Sequence, residues 1–150
     1  MRVFRISAPQ YVDAALSGEG AARAGARWNS PGIRMAYTAS SVSLAMLEML
    51  VHVDREDVPM NRRLLRFDVP DDAIKTLLDF PEGWDFLPYS FSVRAVGDEW
   101  VTGGASLALL VPSAVARHES NVLINPSHAR FREINLLENA PLALDMRLFP

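Results

Sequence analysis

Two hydrophobic periods run along this chain, one of about two residues and one of about 3.6, and they mark strands and helices respectively. Residues 2–6 and 64–69 alternate as strands, and residues 35–38 read as a short one. From Val42 on, apolar side chains recur at Ala45, Met46, Met49, Leu50 and Val53, the stripe of a core-facing helix. Ser40 and Ser41 supply the hydroxyls that cap a first turn. Leu44, Leu47 and Val51 make the other faces apolar, so this helix is expected to be buried nearly all round. The runs 107–111 and 122–124 are short and continuously apolar, as buried strands are.

Weaker patterning fills the rest. A short helix is expected over 9–15, a mobile Ala/Gly-rich rim over 18–25, and a polar connection over 54–61. Pro70, Asp71 and Asp72 open a helix that stops before Pro81. Residues 81–88 form a loop carrying Trp84. A helix over 90–101 is weakened at Gly97 and ended by Gly103 and Gly104, and 131–136 and 142–148 are further strand candidates. The sum is an α+β domain without strict βαβ alternation.

One polar residue breaks the apolar helix. Glu is almost never fully buried without a partner, so Glu48 points into a cleft, pairs with a cation, or both. Just upstream, the turn-rich loop 25–32 holds Arg27 and Trp28. Loop, strand and helix follow within one supersecondary unit, which brings Arg27, Tyr37 and Glu48 within range of one pocket. A purely structural Arg–Glu pair with a core tyrosine satisfies the same pattern. Further along, Ser113 ends a buried strand and Asn121 opens the next. Taken alone, Ser113 reads as a cap or turn hydroxyl ahead of a catalytic group.

Composition removes several classes of chemistry. At 150 residues the chain fits a single domain over 1–150 with a sizeable core. A net charge of −3 argues against gripping nucleic acid unaided. The basic residues are nearly all arginine, Lys75 being the one lysine; arginine suits forked recognition of carboxylate or phosphate, and a GC-rich genome accounts for the bias equally well. Without cysteine there is no disulfide, thiolate metal site or thiol nucleophile. His52 stands four residues after Glu48, but one such pair lacks a third metal ligand, and His118 and His128 have no ligand spacing, so no metal is expected. Glycine-rich phosphate loops and the G-x-S-x-G elbow are missing. With neither a signal-peptide run at residues 1–6 nor an apolar stretch of membrane-spanning length, a cytoplasmic protein is the expectation.

Taken together, the blocks resemble the RES domain, the toxin half of RES–Xre toxin–antitoxin pairs. The matching pieces are Ala26, Arg27, Trp28, Asn29, Pro31 and Gly32, then Tyr37 to Ser41, Ala45, Leu47, Glu48 and Leu50 to His52. Gly97 to Trp100, Val111 to Ser113 and Asn121 to His128 follow in order, and together these cover nearly the whole chain. The family's Arg, Glu and Ser would be Arg27, Glu48 and Ser113, and Ala129 stands where a proline is expected after the histidine.

The resemblance implies an ADP-ribosyltransferase-like fold, with short strands in a split sheet core and a few flanking helices. It implies a toxin that binds NAD as substrate, with no true cofactor, and cleaves it at the nicotinamide–ribose bond or transfers its ADP-ribose to a protein. It also implies a hetero-oligomer with an Xre-type helix-turn-helix antitoxin that covers the active site, with no membrane partner. A non-catalytic partner module and an NAD-binding sensor are the competing classes.

The residue chemistry is compatible with cleavage. Glycosidases use two carboxyl groups, one of them to protonate the leaving group. Nicotinamide in NAD is already cationic and departs neutral, so a single carboxylate suffices. In this reading Glu48 steadies positive charge developing on the ribose. Arg27 clamps the pyrophosphate, and Tyr37 packs on the nicotinamide or its ribose. Ser113 and Asn121 orient ribose or amide groups. Trp28 either walls the pocket or packs in the core.

Overall fold

A computed structural model of the chain describes residues 1–53 and 61–148. Seven strands form one sheet: β1 (Arg2–Ser7), β2 (Ala36–Ala39), β3 (Arg63–Asp68), β4 (Ile74–Thr76), β5 (Ala108–Pro112), β6 (Ser120–Ile124) and β7 (Asn135–Pro141). Their order is β4-β5-β6-β2-β1-β3-β7. Every pairing is antiparallel except β4 with β5. Among the described residues three helices accompany the sheet: α1 (Glu19–Ala24), α2 (Val42–Leu50) and α3 (Phe91–Gly103).

The sheet is pinched at its centre. β1 and β2 meet at one register pair, Phe4 opposite Ala39, whereas β1 and β3 stay in register from Arg2 to Ser7. Where β1 and β2 part, Arg5 fills the gap with its guanidinium, donating from Nη1 to the Tyr37 carbonyl that a neighbouring strand would otherwise satisfy.

Period-2 alternation assigns each side chain to a face. On one face, Val3, Ala36, Leu65, Phe67, Val122 and Ile124 form a core closed by Leu16 and Phe131 from connecting segments. On the other, Leu109, Val111 and Leu123 pack against Trp28 and against Val93 of α3, while Ala39 packs against Leu44 and Ala45 of α2. Tyr37 and Asn121 stand on this second face. Asn121 opposes Ala39, two residues from Tyr37, and such diagonal neighbours lie about 7–8 Å apart.

α2 differs from the expectation of burial all round. Its buried positions are Leu44 and Ala45, while Leu47 and Val51 are exposed. Glu48 follows Leu44 by four residues and Ala45 by three, so it shares their sheet-facing side. The cap is as expected: the Ser41 hydroxyl accepts from the Leu44 amide at 3.0 Å.

Other segments depart from the sequence reading for identifiable reasons. Residues 19–24, expected as a mobile rim, are helix α1, in keeping with the helix preference of alanine. Its preceding Gly18 adopts φ +72°, and a Cβ there would meet the Met35 amide at 2.5 Å. Only a 3-10 turn forms at Pro9–Tyr11. The helix expected after Pro70 is a single 3-10 turn, Asp71–Ala73, because Ile74–Thr76 adds to the edge of β5. Gly97 does not weaken α3; the helix runs unbroken to Gly103 and is closed by Gly104 at φ +60°. Phe131–Glu133 and Met146–Leu148 are 3-10 turns, and the strand between them is β7. The polar connection expected at 54–61 lies outside the described residues except for Asn61. Among the described residues no helix is long and apolar enough to cross a membrane.

Candidate active site

Glu48 projects from α2 onto the polar end of β5 and β6. Its Oε1 accepts from the Ser113 hydroxyl at 2.9 Å and from Asn121 Nδ2 at 2.6 Å. The direction of the first bond follows from counting. Ser113 Oγ also accepts from the amides of Val115 and Ala116, both at 3.1 Å, so its lone pairs are used and its one proton goes to Glu48. Ser113 is fully buried just past β5. The other oxygen, Oε2, has no hydrogen-bond partner among the described residues, and no cation pairs with Glu48 among them. Two neutral donors thus fix one oxygen and, among the described residues, leave the second without a partner.

Arg27 and Glu48 do not form the direct ion pair that was one reading of the sequence. Arg27 turns instead to the 81–90 loop, where Nη1 donates to the carbonyls of Trp84 at 2.6 Å and Phe86 at 3.1 Å. Its guanidinium lies 4.8 Å from the centroid of the Tyr89 ring. Nε and Nη2, the parallel edge that grips an oxyanion bidentately, have no partner among the described residues.

Tyr37 ties the loop of Arg27 to the sheet. Its hydroxyl accepts from the Trp28 amide at 3.0 Å and donates to Asn29 Oδ1 at 2.9 Å. Burial pushes the phenol well above its usual range, and the neighbouring Tyr89 and Asp98 push the same way. The hydroxyl is therefore occupied, and only the ring remains to pack against another group. Trp28 takes the core alternative left open for it. It is 2 % exposed, stacks on Trp84 at 6.3 Å between ring centroids, and has Gly97 pressed against its carbonyl.

Several supporting residues were not assigned roles from sequence. Asn29, wholly buried, donates from Nδ2 to the carbonyls of Ala21, Ser30 and Ile33 and holds the 26–33 loop closed. Asp98 of α3 accepts from the Ser30 amide at 2.9 Å. Glu119 accepts from the Ser41 hydroxyl, joining the cap of α2 to the segment after Ser113. Asp85 of the 81–90 loop is ion-paired with Arg117. Asn29 and Asp98 lie inside the quoted motifs, so a buried amide between tryptophan and a Ser-Pro turn was the signal available for the first. The ion pair left no local signal. A separate open depression of about 470 Å³, lined by Pro9, Val12, Asp13, Asn61, Arg63 and Asn139, shares no residue with this cluster.

Fold and site together define an α+β domain that presents one oriented carboxylate from a helix to the polar end of a pinched mixed sheet. A solved structure of the same fold is the Mycobacterium tuberculosis MbcT–MbcA toxin–antitoxin complex, with a TM-score of 0.73 and 23 % identity over 95 % of this chain and 84 % of that one. The chain belongs to the RES domain family, whose model matches residues 2–145. Its relatives include the Toxin Res proteins of Photorhabdus laumondii, 37 % identical over 99 % of this chain and 97 % of the relative, and of Yersinia enterocolitica, 36 % identical over 99 % of both. The Prs ADP-ribosylating toxin of a Sphingobium species is 40 % identical over 75 % of this chain and 73 % of its own length.

Proposed function

We propose that this RES domain, extending over the whole chain, is the toxin of a toxin–antitoxin pair and acts by cleaving NAD between nicotinamide and ribose. The observation that carries the reading is the state of Glu48: one oxygen is held by a hydroxyl and an amide, and among the described residues the other has no partner and no cation pairs with either. An oriented, unpaired carboxylate stabilises positive charge that develops only in the transition state. As the glycosidic bond breaks, its electron pair returns to the pyridinium nitrogen and nicotinamide leaves neutral. The ribosyl cation is steadied by Glu48 Oε2 until an oxygen nucleophile adds to the same carbon. With water, that oxygen then loses a proton and ADP-ribose is released.

The remaining residues bind. Arg27 offers its Nε–Nη2 edge to a phosphate while its other amino group keeps the 81–90 loop in place. The Tyr37 ring packs beside the nicotinamide or its ribose. Ser113, its hydroxyl fully used, serves to hold Glu48, while Asn121 holds Glu48 with one N–H and keeps its amide oxygen for the ribose or amide contact expected of it.

Transfer of ADP-ribose to a protein is the second reading, favoured by the printed name of the Sphingobium relative. Incubation with NAD labelled in its adenosine half separates the two. Hydrolysis gives labelled ADP-ribose, phosphorolysis requires added phosphate and gives its phosphorylated counterpart, and transfer leaves label on protein. NAD left intact both without and with added phosphate contradicts the proposal.

The partner of this reading is an antitoxin of the Xre helix-turn-helix type, covering the active site. Leu78, Phe86, Leu87 and Phe91 are largely exposed on and beside the loop that Arg27 holds, an apolar rim suited to a protein partner. A net charge of −3 complements a basic DNA-binding protein.

A further inference from the structure

Arg27 and Glu48 are held by different loops, and one ion pair joins those loops. Arg27 donates to the carbonyls of Trp84 and Phe86, the two residues that flank Asp85. Ser113, which donates to Glu48, accepts from the amides of Val115 and Ala116, immediately before Arg117. Asp85 and Arg117 are paired with each other. A continuous polar path thus runs from Glu48 through Ser113 and the 115–117 backbone, across the ion pair, and through the 84–86 backbone to Arg27.

The two partners are unequally exposed. The Asp85 side chain is 12 % exposed and that of Arg117 71 %. A shielded carboxylate is costly without a compensating cation, whereas an exposed guanidinium alone is well solvated. The pair therefore differs from an ordinary surface salt bridge, in which neither side depends on the other.

We propose that Asp85 and Arg117 are positioning residues that strap the 81–90 loop to the 113–119 loop, fixing the spacing between Arg27 and Glu48. This rests on the reading of the site as one for NAD, in which Arg27 meets a phosphate and Glu48 the ribose. A dinucleotide spans both ends, so loosening the strap misplaces one end relative to the other. Binding suffers first, because Glu48 keeps its own support from Ser113 and Asn121.

The test is steady-state NAD turnover by wild type, Asp85→Asn, Arg117→Ala, Arg117→Lys and the Asp85→Asn/Arg117→Ala double variant, with hydrogen exchange followed over residues 81–90. Arg117→Ala is expected to raise KM on the order of tenfold, less than the roughly hundredfold that an ångström of misplacement can cost, with a smaller change in kcat. Exchange over 81–90 should quicken in the same variant. Arg117→Lys should restore most of KM. The double variant should be no worse than Arg117→Ala, because removing the shielded charge removes the need for its partner. Unchanged KM in Arg117→Ala, additive effects in the double variant, or failure of Arg117→Lys to restore KM would each overturn the strap while leaving the NAD reading intact. A wild type that leaves NAD untouched overturns the reading of the site and this positioning role with it. Thermal midpoints distinguish general unfolding from loosening, and a fall in the Arg117→Ala midpoint that accounts for the whole loss of activity also counts against the proposal.

Discussion

At the scale of single residues, the site divides its polar groups into those that are spent and those that are open. Tyr37 is spent: its phenol both donates and accepts within the Trp28–Asn29 loop. Because burial raises its pKa in the fold, folding favours the protonated form. That stabilisation is complete below the unfolded tyrosine value near pH 10 and is lost as pH rises beyond it. Denaturant titration from pH 8 to 11 should show stability falling above about pH 10, with the fall reduced in Tyr37→Phe. Arg27 is half spent. Arg27→Ala should weaken NAD binding by about 1.5–3 kcal/mol, on the order of ten- to a hundredfold, with a smaller change in kcat, as titration and kinetics would measure. Arg27 and Glu48 could be singled out from sequence because a charge in an apolar or turn-rich setting calls for a reason. The bonding partners of Arg27 could not, since Trp84 and Phe86 act through carbonyl groups that any residue carries.

At the scale of elements, fixed contacts set where the side chains arrive. α3 touches the Arg27 loop so closely that a Cβ at Gly97 would lie 1.8 Å from the Trp28 carbonyl. Gly97→Ala should cost about 3 kcal/mol or more, lowering the thermal midpoint by roughly 6–12 °C. Loss of the α2 cap in Ser41→Ala should cost about 1 kcal/mol, visible in chemical denaturation. Continuous apolar runs made β5 and β6 legible, and the serine cap with its apolar stripe made α2 legible. β4 and β7 were not, because edge strands are stabilised by backbone pairing more than by their own pattern. β7 reads Asn-Leu-Leu-Glu-Asn-Ala-Pro, and it is held to β3 by its ladder, by Arg63 to Asn139 at 2.7 Å and by Arg66 to Glu138 at 2.6 Å. Gly97 misled in the other direction: a glycine in a helix suggests weakness from sequence, whereas here it permits a close crossing.

At the scale of the whole molecule, the pinch between β1 and β2 and the two helices on one face bring distant segments together. Residues 26–37, 48, 84–89 and 113–121 meet only through that topology, so the ion pair between Asp85 and Arg117 has no signature in the local sequence of either partner. If an antitoxin covers this face, its purified complex with the toxin should not release nicotinamide, and the apolar side chains Phe86, Leu87 and Phe91 should become protected from solvent. The central claim is that Glu48 acts on the transition state rather than on binding. It is tested most directly by nicotinamide release from NAD, measured beside NAD affinity, in wild type and Glu48→Gln. The account predicts a rate lower by about 10²–10³ with affinity nearly unchanged; a variant that releases nicotinamide at the wild-type rate would contradict it.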